Sequence, residues 1–245
     1  MNSGPGTVWI TGGLGGIGLA CARRFAANGA HLLLVDRVGD TAEAALGELR
    51  ALGAASATFA ACDVSVEAEV VAVCEKGMYV SGRVDALVNV AGMMIYKPLD
   101  ELTGEDWHRL LGVNLIGAAL FTREALRRME PGSAIVNVSS IHAFQTSPLV
   151  APYAAAKAAL ASLTRSTAIE GKPRGIRANA VLPGAVDTPM LWASPNLKSG
   201  AEVLEAGDIG KPEDIANAVA FLAGEDAAFI SGATLNVDGG RLAKL

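Results

Sequence analysis

Cysteine is scarce in this chain. Cys21, Cys62 and Cys74 are the only three among 245 residues, too few and too widely spaced for a disulfide framework, and none forms a Cys-x-x-Cys pair. They read as reduced, buried thiols of a cytoplasmic protein. Histidine is as sparse: His31, His108 and His142 lie far apart, so no metal site is expected. Charged residues make up 18% of the chain with a net charge of −5, and lysines and arginines are scattered, which argues against a nucleic-acid partner. No run approaches the roughly 18 uncharged apolar residues of a membrane span. The opening Met-Asn-Ser-Gly-Pro-Gly lacks the basic region and apolar core of a signal peptide. What abounds is apolar residues, 51%, and glycine, 28 positions, a composition suited to one glycine-punctuated α/β domain over residues 1–245.

Short apolar runs at residues 7–10, 31–35, 57–62, 85–90, 134–139, 176–182 and 233–237 read as strands. Helix-compatible stretches separate them, at residues 19–28, 41–52, from about 66, 100–130 in one or two pieces, 152–168 and 212–222. This alternation predicts a doubly wound, parallel, seven-stranded Rossmann-type sheet with helices on both faces and its site at the strands' carboxyl ends. Residues 191–208 show no periodicity and leave the carboxyl end of a strand, the natural place for a lid over a small-molecule substrate.

The first strand runs into Thr11-Gly12-Gly13-Leu14-Gly15-Gly16-Ile17-Gly18 and then a helix. Strand, glycine loop and helix form the context of dinucleotide binding, because glycines let the backbone approach a pyrophosphate that the helix N-terminus favours. Three registers fit: Gly13/Gly15/Gly18, Gly12/Gly16/Gly18 and Gly12/Gly15/Gly18. The second strand ends in Asp36, about twenty positions on, where a carboxylate accepts from an adenosine ribose and repels a 2′-phosphate. This predicts NAD over NADP, with Arg37 the counter-argument because a guanidinium can pair with that phosphate. Asp63-Val64 closes the third strand, and Asp63 suits either an adenine amino group or a helix cap. The fourth strand, which holds Asn89, leads into Ala91-Gly92, where small residues let the backbone lie against a cofactor.

Tyr153-Ala-Ala-Ala-Lys157 lies on the alanine-rich helix, so the two side chains share a face. A neighbouring ammonium lowers a phenol's pKa from about 10, which would make Tyr153 a proton-transfer group near neutrality. Ser140, thirteen residues upstream at a strand end, is placed to bond a substrate oxygen beside that phenol. Asn114, amid Val113, Leu115, Ile116, Leu120 and Phe121, must find buried partners, as a structural hydrogen-bonder or a polar link to the site.

Together these motifs resemble the short-chain dehydrogenases/reductases, from Thr11 to Gly240. The likeness rests on Thr11-Gly12-x-x-x-Gly16-Ile17-Gly18, Asp63, Asn89-x-Ala91-Gly92, Asn114, Ser140, Tyr153-x-x-x-Lys157 and Pro183-Gly184 in the family's order. The resemblance implies that Tyr153 is the general acid/base, that Ser140 positions the substrate oxygen, and that Lys157 holds the nicotinamide ribose while lowering the tyrosine pKa. It further implies that Asn114 anchors a proton-relay water, that Thr188 and the Val186 backbone meet the carboxamide, and that the protein is a homotetramer. One departure is Val90, where the family commonly has a second asparagine. The expected reaction is hydride transfer between NAD(H) and a secondary alcohol or ketone. An NADP-dependent 3-oxoacyl-thioester reductase, a sugar-nucleotide epimerase and a non-catalytic dinucleotide-sensing regulator are the alternatives. Met93, Met94, His142, Phe144, Gln145, Leu149, Met190 and Trp192 flank the motifs as substrate candidates, and His142 and Gln145 tilt the expectation toward a sugar or polyol.

Overall fold

Strand β1 (Thr7–Thr11) is buried at all five positions, the pattern of a parallel strand covered on both sides. The computed structural model describes residues 6–243, so most of the N-terminal stretch read for a signal peptide lies outside the described residues. After β1 come α1 (Gly16–Ala26), β2 (His31–Asp36), α2 (Ala42–Ala51), β3 (Ser56–Ala61), α3 (Glu67–Ser81) and β4 (Ala86–Asn89). Helices α4 (Gly104–Leu111) and α5 (Gly117–Arg128) then flank a π-helical turn at Gly112–Ile116. Next follow β5 (Ala134–Val138), α6 (Ala151–Gly171), β6 (Arg177–Pro183) and β7 (Ala185–Val186). The single turns α7 (Pro189–Trp192) and α8 (Pro195–Lys198), then β8 (Ile209–Gly210), α9 (Pro212–Ala223) and β9 (Thr234–Val237), complete the order.

Seven strands pair in parallel as β3-β2-β1-β4-β5-β6-β9, the doubly wound sheet that the alternation predicts. Strands β7 and β8 form a separate two-stranded ribbon. The twofold period of the strands builds two cores. Val8, Ile10, Leu32 and Leu34 pack with Phe25 of α1, Leu49 of α2 and Val219 of α9. Trp9, Leu33 and Val35 turn the other way, onto Val70 of α3, Phe121 of α5 and Ala168 of α6. Each fully buried side chain of this size contributes roughly 1.5–3 kcal/mol, set against chain entropy.

The chain reverses direction across the sheet at β1, which has β2 on one side and β4 on the other. A crevice opens there at the carboxyl ends. Thr11 fixes its width: its Oγ1 accepts from the Val90 and Ala91 amides at 3.1 and 3.2 Å.

The expected 100–130 helix divides at the π turn. Its first half begins at a capping box, in which Thr103 Oγ1 accepts from the Asp106 amide and Asp106 Oδ2 from the Thr103 amide. The residues of the turn bring Asn114 inward to 1% exposure. The 191–208 segment holds α8 and the end of α7, each a single turn opened by a proline at its N-terminus. One turn is too short to show a period, which is why the sequence reads as structureless there.

Candidate active site

A cleft of about 920 Å³ runs along the carboxyl ends of the strands. Its floor is the glycine loop, and sterics single out one of the three registers. A Cβ on Gly18 would lie 2.0 Å from the Gly12 carbonyl oxygen, one on Gly16 2.8 Å from Thr188 Cγ2, and one on Gly12, at φ +63°, 2.9 Å from the Ala91 backbone. Gly15 would meet only an ordinary contact at 3.4 Å. Gly12, Gly16 and Gly18 are therefore the set in which every glycine is required. Gly15 is the N-cap of α1 and offers no side-chain bond, so the first amides of the helix stay free for an anion.

Asp36 and Arg37 stand at one end of the cleft. Asp36 Oδ2 accepts from the Leu14 amide at 3.1 Å and Oδ1 from the Arg37 amide at 2.8 Å. The carboxylate thus braces the glycine loop and keeps a second lone pair on each oxygen. Asp63 and Val64 line the same region. Asp63 Oδ1 accepts from the amide and hydroxyl of Ser65 at 2.9 and 2.6 Å, bonds that hold its carboxyl below the usual range. It caps a turn, not α3, whose N-cap is Val66.

Ser140, Tyr153 and Lys157 meet further along the cleft. Tyr153 and Lys157 are in the first two turns of α6, and Ser140 lies two residues beyond the end of β5. The Ser140 hydroxyl is near enough to the Tyr153 phenol to oppose the rise of its pKa, and it accepts from the His142 amide at 3.2 Å. Lys157 is 3% exposed. Its Nζ donates to the Val138 carbonyl at 2.9 Å and lies 5.5 Å from the centre of the Tyr153 ring. The backbone of Lys157 is held as well, its carbonyl accepting from Ser139 Oγ at 2.7 Å.

The expected electrostatics need correction. Burial pushes the Tyr153 phenol up to about 12, with Tyr96 adding to the rise and the Ser140 hydrogen bond opposing it. Burial likewise pulls the Lys157 ammonium down to about 8. The ammonium's hydrogen bond goes to the Val138 carbonyl, and in the free protein desolvation outweighs its attraction for the phenolic oxygen.

Asn114 backs this cluster from the π turn. Its Oδ1 accepts from the Met93 amide at 2.8 Å and its Nδ2 donates to the Met93 carbonyl at 2.9 Å. The side chain clamps the strand end beside Gly92 and stands behind the cleft lining. Gly92 keeps the space open: a Cβ there would sit 3.7 Å from both Asn114 Oδ1 and Lys157 Nζ. Asn89 also lies off the cleft, because strand alternation turns it inward. Its Nδ2 donates to Asn137 Oδ1 at 2.8 Å, and Asn137 Nδ2 donates to Thr164 Oγ1 at 2.9 Å. Ala91, Ile17, Pro183, Gly184, Val186 and Thr188 do line the cleft, and Thr188 Oγ1 donates to the Val186 carbonyl at 3.2 Å. Leu14 reaches the site only through its amide.

Of the substrate candidates, His142, Gln145 and Met190 line the cleft with Met93 and Met94. Trp192 does not, being 53% exposed with its Nε1 donating to Asp187 Oδ1 at 2.8 Å. His142 makes an edge-on contact with Tyr153, ring centres 5.7 Å apart. Burial lowers its basicity, with Glu202 opposing and Arg241 assisting. Leu149, in the loop before α6, is the one non-glycine at positive φ, +70°, among the described residues.

Among the lining groups that escaped the sequence reading are Tyr96, Glu202 and Arg241. Arg241 Nη2 donates to Glu202 Oε1 at 2.8 Å. A second tie holds the lid segment, since buried Asn196 of α8 donates to the Pro148 carbonyl at 3.0 Å. Neither follows a local pattern. No group of three or more His, Cys, Asp or Glu gathers to hold a metal among the described residues. No helix among them is long and apolar enough to cross a membrane.

Comparison with known proteins agrees with this architecture. The sequence profile of a family described as enoyl-(acyl carrier protein) reductase matches residues 12–241. The chain is 40% identical over 244 residues to 3beta-hydroxysteroid dehydrogenase 1 of Eggerthella lenta, covering 96% of this chain and 92% of that protein. It is 40% identical over 238 residues to the cis-4-hydroxycyclohexanecarboxylate dehydrogenase of Sinomonas cyclohexanicum, covering 94% of each. Among solved structures, a blue fluorescent protein from a metagenomic library in complex with NADPH superposes with a TM-score of 0.90 at 36% identity, covering 98% of this chain and 99% of that one.

Proposed function

The chain belongs to the short-chain dehydrogenases/reductases, and from that premise we propose that it interconverts a ring-borne secondary alcohol and its ketone with NAD(H), using Tyr153 as the general acid/base. The observation that carries the reading is the meeting of Ser140, Tyr153 and Lys157 in the cleft that the glycine loop floors. A dinucleotide-sensing regulator without turnover would not need all three together.

The glycine loop fits a dinucleotide, since Gly12, Gly16 and Gly18 let it pack against Ala91, Thr188 and its own turn while its backbone lines the cleft. The free amides at the start of α1 would hold its pyrophosphate, Asp36 its adenosine ribose, and Lys157 its nicotinamide ribose. When bound, such a cofactor supplies the hydride acceptor or donor. The carboxylate of Asp36 favours NAD, because a 2′-phosphate beside it would be repelled.

Ser140 and Tyr153 present two hydroxyls to one substrate oxygen. In reduction, the neutral phenol donates its proton to the ketone oxygen as the carbinol forms. That is the protonation state the free protein holds. In oxidation the phenolate takes the alcohol proton, and the buried Lys157 charge stabilises that anion relative to any neutral side chain in its place. Met93, Met94, Val150, Met190 and Leu191 wall the cleft, which favours an alicyclic substrate body more apolar than a sugar or polyol. The names of the relatives point the same way, one to a hydroxysteroid and one to a hydroxycyclohexane acid.

Replacing Tyr153 by phenylalanine removes the proton donor but keeps the ring. Turnover of a ring alcohol should fall at least ~100-fold, while NADH titration shows unchanged cofactor affinity. Near-normal turnover would refute the assignment.

A further inference from the structure

The outer end of the cleft carries a charge pair that the hydride-transfer reading does not use. Glu202 comes from the lid segment and Arg241 from beyond the last strand, 39 residues apart in sequence. Each side chain is 22% exposed, and both line the cleft. The His142 ring packs edge-on against Tyr153, and both charges act on His142. Glu202 also acts on Tyr96, another residue of the cleft lining. His142 Nδ1 is buried and has no hydrogen-bond partner among the described residues. A substrate held by its carbinol at Tyr153 therefore extends past His142 toward Glu202 and Arg241.

The contact is single-point. Arg241 donates through Nη2 to Glu202 Oε1, and a guanidinium has five N–H donors while a carboxylate has a second oxygen. The pair can thus offer a donor and an acceptor side by side, with no net charge. Such a surface suits an uncharged oxygen, a hydroxyl that both gives and takes or a ketone that takes from arginine. It does not suit a carboxylate, which would meet the like charge of Glu202.

Resting on the dehydrogenase reading above, we propose that Glu202 and Arg241 form a neutral donor–acceptor subsite that recognises an uncharged hydroxyl or keto oxygen at the end of the substrate remote from the reacting carbinol, and that Glu202 makes the subsite reject a carboxylate there. The closest prediction is a reversible change of preference. Glu202→Gln would leave Arg241 without its counter-charge and turn the subsite into a carboxylate receptor. Arg241→Met would remove the donor and gain nothing for acids.

The test compares decalin-2-ol, decalin-2,6-diol and 6-hydroxydecalin-2-carboxylate as substrates of the wild-type, Glu202→Gln and Arg241→Met proteins. Preferences are taken as kcat/KM ratios within one protein, so that a general loss of activity cancels. Wild type should favour the diol over the hydroxy acid by at least ~tenfold, Glu202→Gln should shift that ratio toward the acid by at least ~tenfold, and Arg241→Met should bring the diol down to the mono-alcohol. Calorimetric binding of the three ligands to the NAD-loaded proteins reads the same ratios without turnover. If binding shows the pattern while no alcohol is oxidised, the dehydrogenase reading fails and the subsite stands. A wild type that prefers the acid, or ratios unchanged in Glu202→Gln, overturns the subsite whatever the turnover.

Discussion

Lys157 is the residue at which function and stability oppose each other most directly, and its replacement by methionine puts a number on the conflict. The ammonium is 3% exposed and has one hydrogen bond to protein, to the Val138 carbonyl at 2.9 Å. Burial lowers its pKa from 10.5 to about 8. At about 1.4 kcal/mol per tenfold, keeping the charge inside costs the free protein roughly 3 kcal/mol below pH 8. The sign follows from proton counting. Between pH 8 and 10.5 the unfolded chain binds a proton that the folded chain has released, so the wild type gains stability as pH rises through that window and carries the full cost below it. Methionine fills similar space without charge but leaves the Val138 carbonyl without its donor, a loss of about 1 kcal/mol. The net expectation at pH 7 is a variant about 2 kcal/mol more stable than wild type, or roughly 4–8 °C in Tm for a chain of this size. Urea unfolding of the cofactor-free proteins from pH 6 to 11 measures it. Cys21, Cys62, Cys74 and Tyr153, each raised to about 12, also titrate at the alkaline end, but they are common to both proteins and cancel in the difference. That difference should shrink from pH 8 upward and reverse by 10.5. A variant less stable than wild type at pH 7, or a difference that does not move with pH, would refute the reasoning.

Two further outcomes test the cofactor cradle. NADH should bind at least ~tenfold tighter than NADPH by fluorescence titration, with Asp36→Ala narrowing the gap; a wild-type preference for NADPH would overturn the reading of Asp36. Gly18→Ala places a methyl 2.0 Å from the Gly12 carbonyl oxygen, which the loop can relieve only by moving. NADH affinity should fall by at least ~100-fold, while Gly15→Ala, with its nearest contact at 3.4 Å, should cost less than ~tenfold; equal losses would show that the register is not set by sterics.

The sheet was legible because its strands announce themselves. Runs such as Leu32 to Val35 are apolar on both faces, and several of the intervening helices carry proline or acidic residues at their starts, as Pro212, Glu213 and Asp214 do in α9. What stayed hidden depends on contacts between distant residues. Glycine content alone left three registers, since the clash that selects among them involves Ala91 and Thr188, dozens of residues away. Asn89 resembles a cleft residue in its motif, yet it belongs to a buried polar chain with Asn137 and Thr164. Which way the last residue of a strand turns is fixed by register, and a one-residue difference reverses it. Glu202 and Arg241 had no local signal, for one lies in a loop and the other opens a single 3-10 turn too short to show a period.

The cluster of Ser140, Tyr153 and Lys157 shows most clearly where pairwise sequence reasoning fails. Tyr-x-x-x-Lys spacing puts a cation near a phenol, and from two residues alone the phenol should be acidic. The third participant is the protein interior, which opposes every unpaired charge. It raises the phenol and lowers the ammonium together, because burial disfavours both charged forms and the ammonium's hydrogen bond goes to the Val138 carbonyl. The free site therefore stores an acid ready to donate, held by Ser140. The phenolate required for oxidation has to be stabilised by whatever else enters the cleft. Acidity in this site is thus not a property of the tyrosine–lysine pair but of the loaded pocket, and the sequence specifies it only by specifying what the pocket can hold.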